Sequence, residues 1–173
     1  MTVSWRLESE TAIAEVDKLG LLINETDSGL IAFGLFHGVA EREAAVRALT
    51  DRLTLPVKEF TLSAEEKDPV RLLLTVPRDE RVCVFFYDAE DALPDVAGYV
   101  NLQRETFAEA PHAVVFWVGE YGAGQLAKLA PDFWSWSSGT FDFRSEQFER
   151  PAMAIAHALF EEMDFKDKGD LER

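Results

Sequence analysis

Three uninterrupted apolar runs constrain this chain more than any other feature. They are Leu30-Ile-Ala-Phe-Gly-Leu-Phe36, Val82-Cys-Val-Phe-Phe-Tyr87 after Arg81, and Ala110-Pro-His-Ala-Val-Val-Phe-Trp-Val118. A strand with one wet face alternates apolar and polar residues, so a continuous run reads as a strand covered on both faces. Each run is far shorter than the ~20 residues of a membrane span. Segments of helical spacing lie between them. Ser9 to Leu19 opens on a capping residue and lines up Ile13, Val16 and Leu19, with Gly20 expected to weaken or end the helix. Glu41 to Leu53 turns Ala44, Val46, Leu49 and Leu53 inward. Val96 to about Glu109 carries Val100, Leu102 and Phe107, and a further helix spans about Gly122 to Ala130.

The remaining segments fit the same alternation. Leu55 to Leu62 alternates like a half-buried strand, Val70 to Thr75 reads as a short helix or turn, and Phe141 to Phe143 as an edge strand. Pro151 opens a last helix, about 151–163, and Trp5 is expected to dock on the core. Strand following helix repeatedly is the mark of a parallel sheet with helices on both sides. The expectation is one α/β domain over 1–173. It is a three-layer sandwich with a mostly parallel sheet core over about 28–143.

Composition narrows the function classes. With 32 acidic against 17 basic residues and a net charge of -15, no basic stripe is available to hold a phosphate backbone, so nucleic acid is not an expected partner. The single Cys83 sits inside an apolar run and reads as a buried small hydrophobe. One cysteine and no secretory leader point to a reducing, cytoplasmic setting. No membrane contact is expected.

Sites in such folds gather beyond the carboxyl ends of the strands, after Phe36, Tyr87 and Val118. A phosphate-binding loop needs Gly-x-x-x-x-Gly-Lys-Ser/Thr, whose amides and lysine hold phosphate. The corresponding stretch, Gly34-Leu-Phe-His-Gly-Val-Ala-Glu-Arg-Glu-Ala44, lacks Lys-Ser/Thr, and Glu41 and Glu43 read as favourable charges at a helix start. Asp88, closing Phe85-Phe-Tyr-Asp88, resembles a magnesium-holding acid in position, but reads better as a loop acid opening a turn before Asp91. His37, His112 and His157 show no metal-ligand spacing. His37 is the one imidazole expected at the strand-end face, which leaves a His37-dependent hydrolase as an alternative. Gly119-Glu-Tyr-Gly-Ala-Gly124 lacks the dinucleotide pattern and reads as a strand-to-helix turn. No cofactor or metal is expected. The cluster Phe133-Trp-Ser-Trp136 reads mainly as core, with an exposed tryptophan as a partner contact the competing reading.

Asn101-Leu-Gln-Arg-Glu105, Pro111-His-Ala-Val-Val-Phe-Trp117, Ala130-Pro-Asp-Phe-Trp-Ser-Trp136 and Gly139-Thr-Phe-Asp-Phe143 resemble a region of bacterial multidomain proteins. Those proteins are similar to STAND-type signalling NTPases or their degenerate relatives, often with tetratricopeptide repeats downstream. The resemblance covers about residues 28–143 in layout, with its specific motifs in 101–143. It implies a P-loop-NTPase-like topology, here without a Walker A motif, and a role in regulation, assembly or defence signalling. The expected function is a non-catalytic regulatory or protein-interaction domain whose partner is another protein, with homo-oligomerisation a further possibility. The expected contact residues are His37, Asp88, Arg104, Trp134 and Trp136. The alternatives are a divergent nucleotide-binding hydrolase and an oligomerising scaffold.

Overall fold

The computed structural model describes residues 9–144; Trp5, His157 and the helix expected over 151–163 lie outside the described residues. Five strands form one sheet: β1 (Leu30–Leu35), β2 (Val57–Thr61), β3 (Cys83–Tyr87), β4 (Ala113–Val118) and β5 (Gly139–Asp142). Their order is β2-β3-β4-β1-β5, and every pairing is parallel. The seven helices among the described residues are α1 (Glu10–Glu25), α2 (Val39–Arg52), α3 (Pro69–Leu74), α4 (Asp95–Leu102), α5 (Arg104–Glu109), α6 (Glu120–Leu129) and α7 (Pro131–Ser135).

Alternation within each strand builds two cores. Ile31, Phe33, Val84, Phe86, Val114, Phe116 and Val118 face α3 to α7. Their neighbours Leu30, Ala32, Cys83, Phe85, Ala113, Val115 and Trp117 face α1 and α2. Register turns the first set into an aromatic row across four strands, since Phe60 pairs with Phe86, Phe86 with Phe116, and Phe116 with Phe33. Ring centroids along it lie 5.6, 5.0 and 5.8 Å apart, and Trp134 stacks on Phe33 at 4.2 Å. On the other face Trp117 needs space that β1 supplies with Gly34. A Cβ there would stand 2.8 Å from the Trp117 ring.

Several expected boundaries move for identifiable reasons. Helix α1 does not stop at Leu19 or Gly20 but runs to Glu25, because Ile23 is buried in the same core as Val16 and Leu19, facing α2 and the sheet. A glycine inside a helix costs about 1 kcal/mol against alanine, which this packing offsets. The single helix expected over 96–109 is two, broken at Gln103, and Leu102, expected on its apolar face, is exposed. Helix α7 carries most of the aromatic cluster, for which the sequence suggested no element, and is started by Pro131 in its first turn and anchored by the buried Phe133. Cys83 is fully buried, and burial pushes its thiol up to about 12, which leaves it unreactive at neutral pH. No helix among the described residues is long and apolar enough to cross a membrane.

Candidate functional site

Strands β1 and β4 are neighbours, yet the helices that follow them leave in opposite directions. Helix α2 packs with α1 on one face, while α6 packs on the other. The carboxyl ends of β1 and β4 are therefore the switch point of the sheet, the place where open α/β sheets form their ligand crevice. The β1–α2 connection, Phe36-His-Gly38, and the β4–α6 turn at Gly119 meet there. The two are joined by the Phe36 amide, which donates to the Val118 carbonyl at 3.3 Å.

Three residues link β1 to α2, too few to wrap a phosphate group in the manner of a glycine-rich loop. Gly38 caps α2 in extended backbone with no side-chain hydrogen bond to the helix. The amides around a helix start are an anion site, and here the chain supplies its own anion: Glu41 Oε1 accepts from the His37 amide at 2.7 Å. On the β4 side, Glu90 Oε1 accepts from the Gly119 amide at 2.6 Å. The Glu90 side chain fills the space over Gly122, where an added Cβ would lie 2.3 Å from Glu90 Oε1.

Asp88 follows β3 in a left-handed conformation, φ 59°, and starts the 3-10 turn Ala89–Ala92. Its Oδ1 accepts from Arg42 Nη1 at 2.9 Å. The guanidinium is held between two rings, 5.4 Å from the Phe36 centroid and 4.9 Å from that of Tyr87. The Tyr87 hydroxyl donates to Glu59 Oε1 at 2.6 Å, and burial, reinforced by Glu59, pushes its pKa up. Beside this pair lies an open hollow of about 330 Å³ lined by Arg42, Glu43, Val46, Arg47, Glu59 and Tyr87. Asp88 thus closes β3 at the strand-end face with its carboxylate held by the Arg42 guanidinium. Among the described residues no group of three or more His, Cys, Asp or Glu side chains is placed to hold a metal.

The structure does not bring the five expected contact residues together. His37 and Asp88 lie at the carboxyl ends of the strands. Arg104, Trp134 and Trp136 belong to the helices on the way back to the amino ends. Arg104 Nη1 donates to the Asn101 carbonyl at 2.7 Å, its guanidinium lies 5.2 Å from the Trp136 centroid, and Asp132 stands 4.0 Å away. Trp134 is half-buried on Phe33, whereas Trp136 is 44% exposed. His112 is buried at the entry to β4, where its Nδ1 accepts from the Val82 amide at 3.2 Å.

Arg42 and Glu90 are the strand-end residues that sequence reasoning passed over, and it read Glu41 only as a favourable helix charge. Nothing local marks Arg42, because its partner is 46 residues away. Glu90 had a faint signal: an acid two residues past the strand-end acid, matched by a glycine-rich turn after the next strand.

No family model matches the chain, and no curated relative matches it. Its fold does match solved structures. It is similar to the Aeropyrum pernix ORC2 protein in its ADP form, with TM-score 0.55 and 12% identity over 83% of this chain and 50% of that one. It is also similar to a DNA polymerase III gamma subunit-related protein of Thermotoga maritima, with TM-score 0.51 and 15% identity over 78% of this chain and 47% of that one. The chain spans about half the length of each. At such identities the likeness is one of fold: a P-loop-NTPase-like α/β sandwich.

Proposed function

We propose that this domain keeps the P-loop-like frame without its catalysis and works as a regulatory or adaptor module that binds another protein. The observation that carries the reading is the Glu41 carboxylate on the His37 amide, at the helix start where a phosphate would bind. Two further features support it. Glu90 holds the facing Gly119 amide, and Arg42 neutralises Asp88. An incoming nucleotide would have to displace one carboxylate and face another, with no lysine to offset the charge. A place in STAND-like signalling or defence follows from the resemblance of residues 101–143 and is part of the same proposal.

The second reading is a retained nucleotide site, favoured by the likeness to a protein solved in an ADP form. A thermal-shift titration with ATP, GTP and magnesium at fixed protein concentration separates the two. The module reading expects no saturable shift. A ligand at a hundred times its dissociation constant stabilises by about 2.7 kcal/mol, so a saturable rise in melting temperature with any nucleotide would overturn it.

A further inference from the structure

The two edges of the sheet are finished differently. At one edge β5 is covered: α1 packs against it, and the Asp142 amide donates to Glu15 Oε2 of that helix at 3.4 Å. At the other edge β2 has β3 on its inner side, and nothing among the described residues pairs with its outer side. The ladder to β3 runs from the Cys83 amide on the Pro56 carbonyl to the Leu62 amide on the Tyr87 carbonyl, and the backbone groups of a parallel strand alternate in direction. Pro56, Lys58, Phe60 and Leu62 therefore face β3, while Val57, Glu59 and Thr61 turn their N–H and C=O groups outward.

Both faces beside this edge carry groups that the fold leaves unused. On one face Phe60 ends the aromatic row, half-buried on Phe86, with the Lys58 ammonium 5.6 Å from its ring centroid. On the other lies the open hollow of about 330 Å³, where Glu59 belongs at once to the edge and to the lining. Of the charges around it Arg42 is bound to Asp88 and Glu59 to Tyr87, which leaves Arg47 and Glu43. Lys18, Arg42, Arg52, Lys67, Arg71 and Arg104 all stand against acids. Arg47 and Lys58 make no ion pair among the described residues, in a chain where acids outnumber bases 32 to 17.

We infer that the outer edge of β2 takes an extended segment of a partner protein as a sixth strand. An aromatic side chain of that segment lies on Phe60, an acidic one two positions away meets Lys58, and the residue between them enters the hollow. The inference rests on the protein-binding reading above and adds where the partner binds and what it must look like. Main-chain hydrogen bonds to Val57, Glu59 and Thr61 hold such a strand, and its alternate side chains give specificity. Residues two apart in a strand share a face, so the residue between the aromatic and the acid points the other way. There it meets one unpaired charge of each sign, Arg47 and Glu43. A glutamine, whose amide both accepts and donates, serves both.

A second copy of this chain fits the edge less well. An antiparallel β2–β2 pair centred on Lys58 or on Glu59 sets like charges opposite each other. One centred on Phe60 fully engages only Glu59 and Thr61, since the next partner, the Ser63 amide, is already bound to the Glu66 carbonyl. The charge of -15 on each chain opposes self-pairing further.

The test uses the full chain and, as probe, the end-blocked peptide Thr-Val-Phe-Gln-Glu-Val-Thr. Titration calorimetry measures its affinity, and amide hydrogen exchange locates it. Saturating peptide is expected to slow exchange at Val57, Glu59 and Thr61 at least tenfold, while Lys58 and Phe60, already in the ladder, change little. Methylating the peptide's backbone nitrogens should have an alternating effect. Either the glutamine position or its two neighbours abolish binding, according to strand direction, and the other set is tolerated. Thr61→Pro removes an outward N–H without touching the β3 ladder, and Lys58→Glu reverses the charge beside Phe60. Each should weaken binding at least tenfold, and Leu102→Ser on α4 should leave it unchanged. Thermal melts verify folding, and the exposed Lys58→Glu carries the test if the proline variant unfolds. No binding, an equal effect of methylation at every position, or unchanged exchange at the three outward amides would each overturn the assignment. So would a dimer in sedimentation that Thr61→Pro dissociates, since the edge would then belong to a second copy. These outcomes leave the non-catalytic reading standing, because that one fails only on a nucleotide response.

Discussion

Arg42 on α2 reaches Asp88 beyond β3, Nη1 to Oδ1 at 2.9 Å, with its guanidinium between the rings of Phe36 and Tyr87. The contact ties the first helix after β1 to the end of β3, two strands away in the sheet. It also gives the strand-end acid a permanent cation. Substituting Arg42 with methionine keeps much of the stem packing and removes the charge. The expected loss is about 1–2 kcal/mol by urea denaturation, the range for a hydrogen bond between charged groups that is partly exposed. Asp88→Asn should cost less, because an amide oxygen still accepts from Arg42. A double-mutant cycle that shows no coupling between the two positions would contradict this account.

The Glu90 bridge makes Gly122 a sensitive position. A methyl at Gly122 would displace Glu90 from its place and break its bond to the Gly119 amide, leaving that donor to find another partner. We expect Gly122→Ala to destabilise by about 1–3 kcal/mol, the penalty of an unsatisfied donor. A Cβ at Gly124 would meet nothing within 4 Å. Gly124→Ala on the same helix should be neutral or slightly stabilising, which isolates the steric effect from helix propensity.

His112 is the fold's acid-sensitive point. Burial first, and then the nearby Arg78 charge, lower its pKa below the ordinary imidazole value, although the Pro77 and Val76 carbonyls oppose part of the shift. Its Nε2 is buried with no well-formed hydrogen bond. In the unfolded chain it protonates near pH 6.5. The folded state therefore binds fewer protons below that pH. The stability linked to His112 is complete above about pH 6.5 and declines as pH falls through that value toward the lower folded pKa, by at most about 1.4 kcal/mol per unit. His112→Asn, which keeps an acceptor for the Val82 amide, should flatten this part of the profile. Denaturant melts between pH 7.5 and 5.5 measure the difference; identical slopes would remove His112 as the cause.

The aromatic cluster should give a graded response to truncation. Phe133 is fully buried and edges against Phe33, Phe107 and Phe116, so Phe133→Ala is expected to cost about 3–5 kcal/mol. Trp134→Ala, half-buried on Phe33, should cost less, about 2 kcal/mol. Trp136→Ala loses mainly its contact with Arg104, worth about 0.5–1 kcal/mol at an exposed site. Equal losses for the two tryptophans, by urea denaturation, would mean that Trp136 is core in solution.

How much of this was legible in the chain follows from the range of each interaction. The three apolar runs announced central strands because continuous burial is a property of neighbouring residues, and β1, β3 and β4 are the middle of the sheet. The interior Gly20 misled because what keeps α1 going is the burial of Ile23 against residues far away in sequence, Leu49 of α2 among them. Leu102 misled because a helical period was carried through Gln103, where the backbone breaks. His37 and Asp88 were placed correctly at the strand ends, since strand ends can be read from hydrophobicity. Their partners, Glu41 and Arg42, were not assigned to them.

The sequence by itself determined the layered α/β frame, the strands and the buried cysteine, all of which depend on periodicity and on residue type. It also carried the missing Walker A pattern. Only the tertiary structure decided which side chains meet at the carboxyl ends of β1, β3 and β4. Glu90 meets Gly119 across 29 positions and Arg42 meets Asp88 across 46. Such pairings depend on strand order and helix crossover, and those are settled by the packing of the whole sheet rather than by any stretch of chain.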